Sequence, residues 1–136
     1  MQDYEQAAIW YRKAAEHGNA YAQLNLGCLY KEGLGVPQND EHAANWIRRA
    51  IRNAPNDVLP IVQYNLGLLY LEGRGVTQDN VEAYFWLYLC AKTLGPNHKF
   101  AKARDAVGTK LTPVELPAVQ KRANQWLDAH IEVLFC

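Results

Sequence analysis

Residues 25–40, NLGCLYKEGLGVPQND, and residues 65–80, NLGLLYLEGRGVTQDN, are near copies, identical at ten of sixteen positions. The offset of 40 persists into the following segment, where Ala43 and Trp46 correspond to Ala83 and Trp86. Upstream the spacing is shorter: Ala7, Trp10 and Ala14 precede Ala43, Trp46 and Ala50 by 36 residues. A unit of 36 residues, enlarged by four in its second copy, accounts for both spacings. The extra residues are expected in Asn53 to Pro60, where two prolines and an Asn-Asp pair break any helix. Internal repetition on this scale restricts the chain to a stack of supersecondary units, each burying its core against the next.

Each unit reads as a pair of helices. Ala22, Leu26, Leu29, Tyr30 and Gly33 keep the spacing of one helical face, as do Ala43, Trp46, Ile47, Ala50 and Ile51. The pattern predicts seven helices, over 3–17, 20–32, 40–53, 60–72, 79–94, 97–110 and 113–130, with no strand. Asp3 and either Asn39 or Asp40 suit helix starts, and Gly18, Gly33, Gly73 and Gly95 suit helix ends. Thr112 to Glu115 is a capping box. Gly27 and Gly67 lie inside helices at a cost of about 1 kcal/mol each, which close approach of a neighbouring helix would offset. Trp10, Trp46 and Trp86 recur in phase with the alanines and are expected to pack between helices.

The phrase A-x3-LG-x2-Y-x2-G-x-GV, followed by A-x2-W-x3-A, resembles the Sel-one-like repeat family, a relative of the tetratricopeptide repeats. The first unit carries it on Ala22, Leu26, Gly27, Tyr30, Gly33, Gly35, Val36, Ala43, Trp46 and Ala50. The second carries it on Leu66, Gly67, Tyr70, Gly73, Gly75, Val76, Ala83 and Trp86. Val62 stands at the Ala22 position and Cys90 at the Ala50 position, both compact and apolar. The third unit keeps only Ala103, Val107, Gly108 and Leu111. The resemblance implies an all-α, right-handed α-solenoid of antiparallel helix pairs. Its expected divisions are the second helix of an incomplete unit (1–18), full units at 19–54 and 55–95, a degenerate unit at 96–111 and a terminal helix at 112–131. The tail, 132–136, resembles the cleavage sequence LEVLFQ of a viral protease used to remove tags, and is kept out of the functional reading. An unpartnered first helix leaves two expectations: a fragment of a longer array, or self-association through that helix.

Chemistry has little to work with. The G-x-G phrases follow helices rather than strands, and no Gly-Lys-Ser/Thr follows them, so they are turns rather than phosphate cradles. His17, His42, His98 and His130 form no HExxH pairing, and Cys28, Cys90 and Cys136 form no CxxC clip, so no metal or cofactor is expected. The chain contains no serine, and Asp40/Glu41 and Asp79/Glu82 sit at helix starts where capping accounts for them. Fourteen basic and fourteen acidic residues cancel, giving no footprint for nucleic acid. No apolar run is long enough to span a bilayer. The N-terminus is charged and lacks the apolar core of a signal peptide, and the three scattered cysteines suit a reducing compartment. A cytoplasmic location is therefore expected, or a periplasmic or secreted one if the chain is a fragment.

The family resemblance implies an adaptor that binds a protein or peptide on its concave face, lined by the first helix of each pair. Carried over by position, the binding residues are Tyr21, Leu24, Asn25, Cys28, Lys31 and Glu32, then Ile61, Tyr64, Asn65, Leu68, Leu71 and Glu72, with Lys102, Asp105 and Thr109 in the third unit. The asparagines could bond a partner's backbone, or bond their own. With Lys31 and Lys102 set against Glu32, Glu72 and Asp105, the ligand expected is a mixed or apolar protein surface rather than an acidic terminus. Two other readings stand beside this one: an enzyme or small-ligand-binding solenoid, and a structural spacer within a longer array.

Overall fold

A computed structural model of the chain describes residues 3–94 and 99–135, the last six of them as backbone. Among the described residues there are seven helices and no strand: α1 (Tyr4–Glu16), α2 (Ala20–Glu32), α3 (Asp40–Asn53), α4 (Leu59–Glu72), α5 (Asn80–Leu94), α6 (Lys99–Gly108) and α7 (Glu115–Phe135). Side-chain caps fix several starts. Asp3 accepts from Gln6 N at 3.1 Å, Asn19 from Ala22 N at 2.8 Å, and Asn39, rather than Asp40, from His42 N at 3.0 Å. Thr112 and Glu115 exchange two bonds of 3.0 Å, completing the capping box. Gly95, His98 and Cys136, and the side chain of His130, lie outside the described residues. α7 continues to Phe135, past the expected end at 130.

The antiparallel pairs α2–α3 and α4–α5 form the two full units. Junctions α1–α2, α3–α4 and α5–α6 join them to their neighbours, and α7 closes on α5. The close approach expected at Gly27 and Gly67 is present: a Cβ on Gly27 would stand 2.7 Å from Ile47 Cγ1, and one on Gly67 2.9 Å from Leu87 Cγ. The four extra residues of the second unit are shared out. Five residues separate α3 from α4, against three between α1 and α2, and α3 and α4 each hold one more residue than α1 and α2.

The second glycine of each G-x-G does more than turn the chain. Gly35 and Gly75 have φ of 75° and 72°, and a Cβ there would strike the carbonyl of Tyr4 or Asp40, at the start of the preceding unit's second helix. The turn is therefore also a contact between units. Three core clusters run along the stack, centred on Leu26 and Ala43, on Ile47 and Leu66, and on Leu87 and Leu89.

A repeated pair of buried glutamines and a repeated arginine–tyrosine bond escaped the sequence reading. Gln23 and Gln63, 40 residues apart, are each 1% exposed, and Gln23 Nε2 donates to Ala15 O at 3.0 Å. Arg12 donates to the Tyr30 hydroxyl, and Arg48 Nη2 to the Tyr70 hydroxyl at 3.0 Å, so an arginine–tyrosine bond crosses each of the first two junctions. Both signals recur at the repeat spacings, the glutamines 40 and the arginines 36 residues apart, but were hidden because glutamine and arginine read as surface residues.

Trp10 corrects the expectation that all three repeated tryptophans pack between helices. Trp46 and Trp86 are half-buried, but Trp10 is 64% exposed. Trp46 packs against the cluster of Ala22, Leu26 and Tyr30 from α2; no described helix takes that place on α1.

Candidate binding surface

The expected binding residues fall on α2, α4 and α6, the first helices of successive units, except Thr109, which stands just past the end of α6. Leu24 does not belong among them. It is 4% exposed and packs with Val62, Leu66 and Leu69 of α4. The same helix position one unit on is Tyr64, whose ring stacks on Phe100 of α6 at 4.1 Å between centroids. This position faces the next unit, so it binds the stack together instead of meeting solvent.

Asparagine separates in the same way between units. Asn65 Nδ2 donates to Ile61 O at 2.8 Å, one turn back, while its Oδ1 lies 4.0 Å from Cys28 Sγ. Its amide is thus engaged within the protein. Asn25, in the equivalent place on α2, leaves its buried Nδ2 without a partner. It lines a groove of about 430 Å³ together with Asp3, Tyr4, Ala7, Tyr11, Cys28 and Leu29.

Of the remaining residues, Tyr21 is 57% exposed and Ile61 46%, and Lys102 follows in the corresponding place on α6. Leu68 and Leu71 are half-buried, Leu71 against the α5 core. Glu32, Glu72 and Asp105 are exposed, with Glu72 3.9 Å from Lys31 and Asp105 2.8 Å from Arg104. Thr109 Oγ1 donates to Ala106 O. An unforeseen residue, Arg74, ties the rim together. Its guanidinium donates to Lys31 O at 2.8 Å and pairs with Asp40 at 3.0 Å, and the Asp40 bond holds its pKa above the usual value. Position 34 of the first unit holds leucine, so alignment of the units concealed this link.

The surface offers recognition groups rather than reactive ones. Burial raises the Cys28 thiol, outweighing the Lys31 charge that would lower it, and pushes Cys90 up to about 12. Neither is a thiolate near neutral pH. Among the described residues no three His, Cys, Asp or Glu side chains are grouped to hold a metal ion, and no helix is long and apolar enough to cross a membrane.

Comparison with known proteins places this architecture. The Sel1 repeat matches at residues 1–19, 20–54 and 60–92. The chain belongs to the Sel1 repeat family. Similar solved structures are a protective antigen of uropathogenic Escherichia coli strains displaying an SLR fold, and a Sel1 repeat protein from Oxalobacter formigenes. The antigen is 30% identical with a TM-score of 0.81, over 93% of this chain and 27% of its own. The Oxalobacter protein is 31% identical with a TM-score of 0.65, over 85% of this chain and 44% of its own. The chain thus spans less than half the length of either. No curated protein matches it. Sel1 repeat proteins are typically protein-interaction modules and generally non-enzymatic scaffolds.

Proposed function

We propose that this chain is a non-catalytic adaptor that takes a protein partner on the face formed by α2, α4 and α6. The observation that carries the reading is the pair Tyr21 and Ile61, 57% and 46% exposed at the same helix position of successive units. Large apolar side chains held in register on rigid helices supply contact area at low entropic cost. At the other end of the same two helices, Lys31, Glu32 and Glu72 supply charges of both signs, suited to a mixed surface rather than to a uniformly acidic peptide.

The test is partner capture from a lysate of the source organism, comparing the parent with the double variant Tyr21→Asp/Ile61→Asp. Neither side chain is in a core cluster, so helicity and melting temperature should stay within about 0.5 kcal/mol of the parent. Captured protein should fall by tenfold or more, as about 1.4 kcal/mol of lost contact suffices for that. A control at Arg49 and Arg52, on α3, should leave capture intact. Unchanged capture by the Tyr21/Ile61 variant would refute the reading. Tyr64→Ala and Asn65→Ala are poor probes, because the Tyr64 ring stacks on α6 and the Asn65 amide is bonded within α4.

A further inference from the structure

The chain's acidic and basic side chains balance in number but not in space. α1 to α6 run alternately in opposite directions, so the ends of α1, α3 and α5 share one edge of the stack with the starts of α2, α4 and α6. That edge is basic. Lys13 stands in the second half of α1, Arg49 and Arg52 in that of α3, and Lys92 near the end of α5, while Lys99 and Lys102 open α6. All six are exposed, and the acids sharing their edge along α1 to α6 are Glu16 and Asp57. The opposite edge is acidic. Glu5 and Glu41 lie in the first turns of α1 and α3, Glu82 in that of α5, and Glu32 and Glu72 end α2 and α4. Of the cations there, Lys31, Arg74 and Arg104 are paired with acids of the same edge. α7 carries charges of both signs and stands outside the pattern.

The helix dipole accounts for these charges in α1, α3 and α5, whose first turns hold acids and last turns bases. It fails for the other three. No acid lies in the first turn of α2, α4 or α6, Glu32 and Glu72 stand at helix C-termini, and Lys99 stands at a helix N-terminus. The sign therefore follows the edge and not the helix. Lys13, Arg49, Lys92 and Lys99 each lie over an aromatic ring of their own helix, from 4.3 Å for Arg49 to 5.8 Å for Lys92, which restrains them. Ion pairs among the described residues engage none of these four, nor Glu5, Glu32 or Glu41. We propose that the basic edge docks on the acidic edge of a second copy of this chain, in a salt-dependent, head-to-tail assembly. The same helices carry both edges, so their charges repeat at one interval and register unit against unit. The edges differ, so every contact leaves one of each free, and the assembly grows beyond a dimer. This contact uses helix ends and leaves the open side of α1 unused. Its test needs the purified chain alone, so it neither rests on the Tyr21/Ile61 reading nor shares its outcome.

Sedimentation velocity at about 20 mM and about 300 mM sodium chloride reads the assembly. At low salt the parent should sediment as a series of oligomers that grows with concentration. At high salt it should be monomeric, with the apparent association constant lower by about tenfold or more. Arg49→Glu/Arg52→Glu reverses the basic edge, and Glu5→Lys/Glu41→Lys the acidic one. Each variant alone should stay monomeric at low salt. An equimolar mixture should associate, because the intact acidic edge of one meets the intact basic edge of the other. Far-UV circular dichroism, and association in the mixture, report that the variants are folded. A parent monomeric at low salt, oligomers that persist at high salt, a variant that assembles alone as the parent does, or a mixture that stays monomeric would overturn the proposal. So would a monomeric parent that binds polyglutamate at low salt, which would assign the basic edge to an acidic protein segment.

Discussion

Gly27→Ala should destabilise this protein even though it improves a helix. Two terms compete. Removing glycine from a helix interior is worth about 1 kcal/mol. Against it, the new methyl would stand 2.7 Å from Ile47 Cγ1 and 3.1 Å from Ala43 O, where relaxed carbon contacts need about 3.5–4.0 Å. Ile47 is 0% exposed and cannot swing aside, and the Ala43 carbonyl belongs to α3 itself. Overpacking of a closed site costs about 1–3 kcal/mol, leaving a net loss of up to about 2 kcal/mol. In an Ile47→Ala background the closest obstruction is gone and only the Ala43 O contact remains, so the loss from Gly27→Ala should shrink or turn into a gain of at most about 1 kcal/mol. Urea unfolding of the four proteins, followed by far-UV circular dichroism, reads the coupling directly. A gain of the full helix-propensity increment in the parent, or an equal effect in both backgrounds, would refute the close-approach argument. Gly67 provides a replicate in the same molecule. Its contacts, 2.9 Å to Leu87 Cγ and 3.3 Å to Ala83 O, are slightly looser, so Gly67→Ala should show the same sign with a smaller loss.

Gly75→Ala should cost more than Gly18→Ala, although both residues have positive φ, 72° and 90°. Nothing lies within 4 Å of a Cβ on Gly18, so only the left-handed strain of about 1–2 kcal/mol applies there, whereas Gly75 must also separate from the Asp40 carbonyl; denaturant midpoints of the two variants check the difference. Cys90 predicts alkaline destabilisation. Its folded pKa is raised by burial to about 12 from 9.0, so its contribution is complete below pH 9 and declines from there towards pH 12, by about 1.4 kcal/mol per pH unit. Cys90→Ala, which copies the buried Ala50, should flatten that decline relative to the parent in urea midpoints measured at about pH 8 and about pH 10.5.

The helices and their order were legible because the period of the apolar residues agrees with the capping signals at most helix ends, α4 being the exception with no side-chain cap at its start. The seven expected spans differ from those observed by a few residues at their ends, where hydrogen-bonding assignments themselves shift by one or two. The binding residues were less legible, for a definite reason. Periodicity tells which side of a helix meets another element, but not which element, nor whether the chain supplies it. Leu24 and Tyr64 were counted as surface because they stand outside the stripe facing their own partner helix, yet that side faces the next unit. Trp10 shows the reverse error: its spacing marks a packing residue, and the described chain brings no helix to it. Asn25 and Asn65 open the same Asn-Leu-Gly phrase, and only coordinates separate the one bonded to Ile61 from the one left unpaired.

Repetition within one chain also separates the positions that build the stack from those that do not. Glycine recurs at 27 and 67, at 35 and 75, and glutamine at 23 and 63, and each recurrence coincides with a contact that leaves little room for substitution. The position of Tyr21 is different. It holds tyrosine, then isoleucine, then lysine along α2, α4 and α6, and in all three places the side chain is exposed. Changes at such a place move stability by about 0.5 kcal/mol or less, while each replaces an apolar or charged group that a partner would touch. A stack organised in this way can alter what it binds without altering how it stands. Recognition is therefore expected to follow the variable row of Tyr21, Ile61 and Lys102, whereas substitutions in the glycine rows should register first in stability.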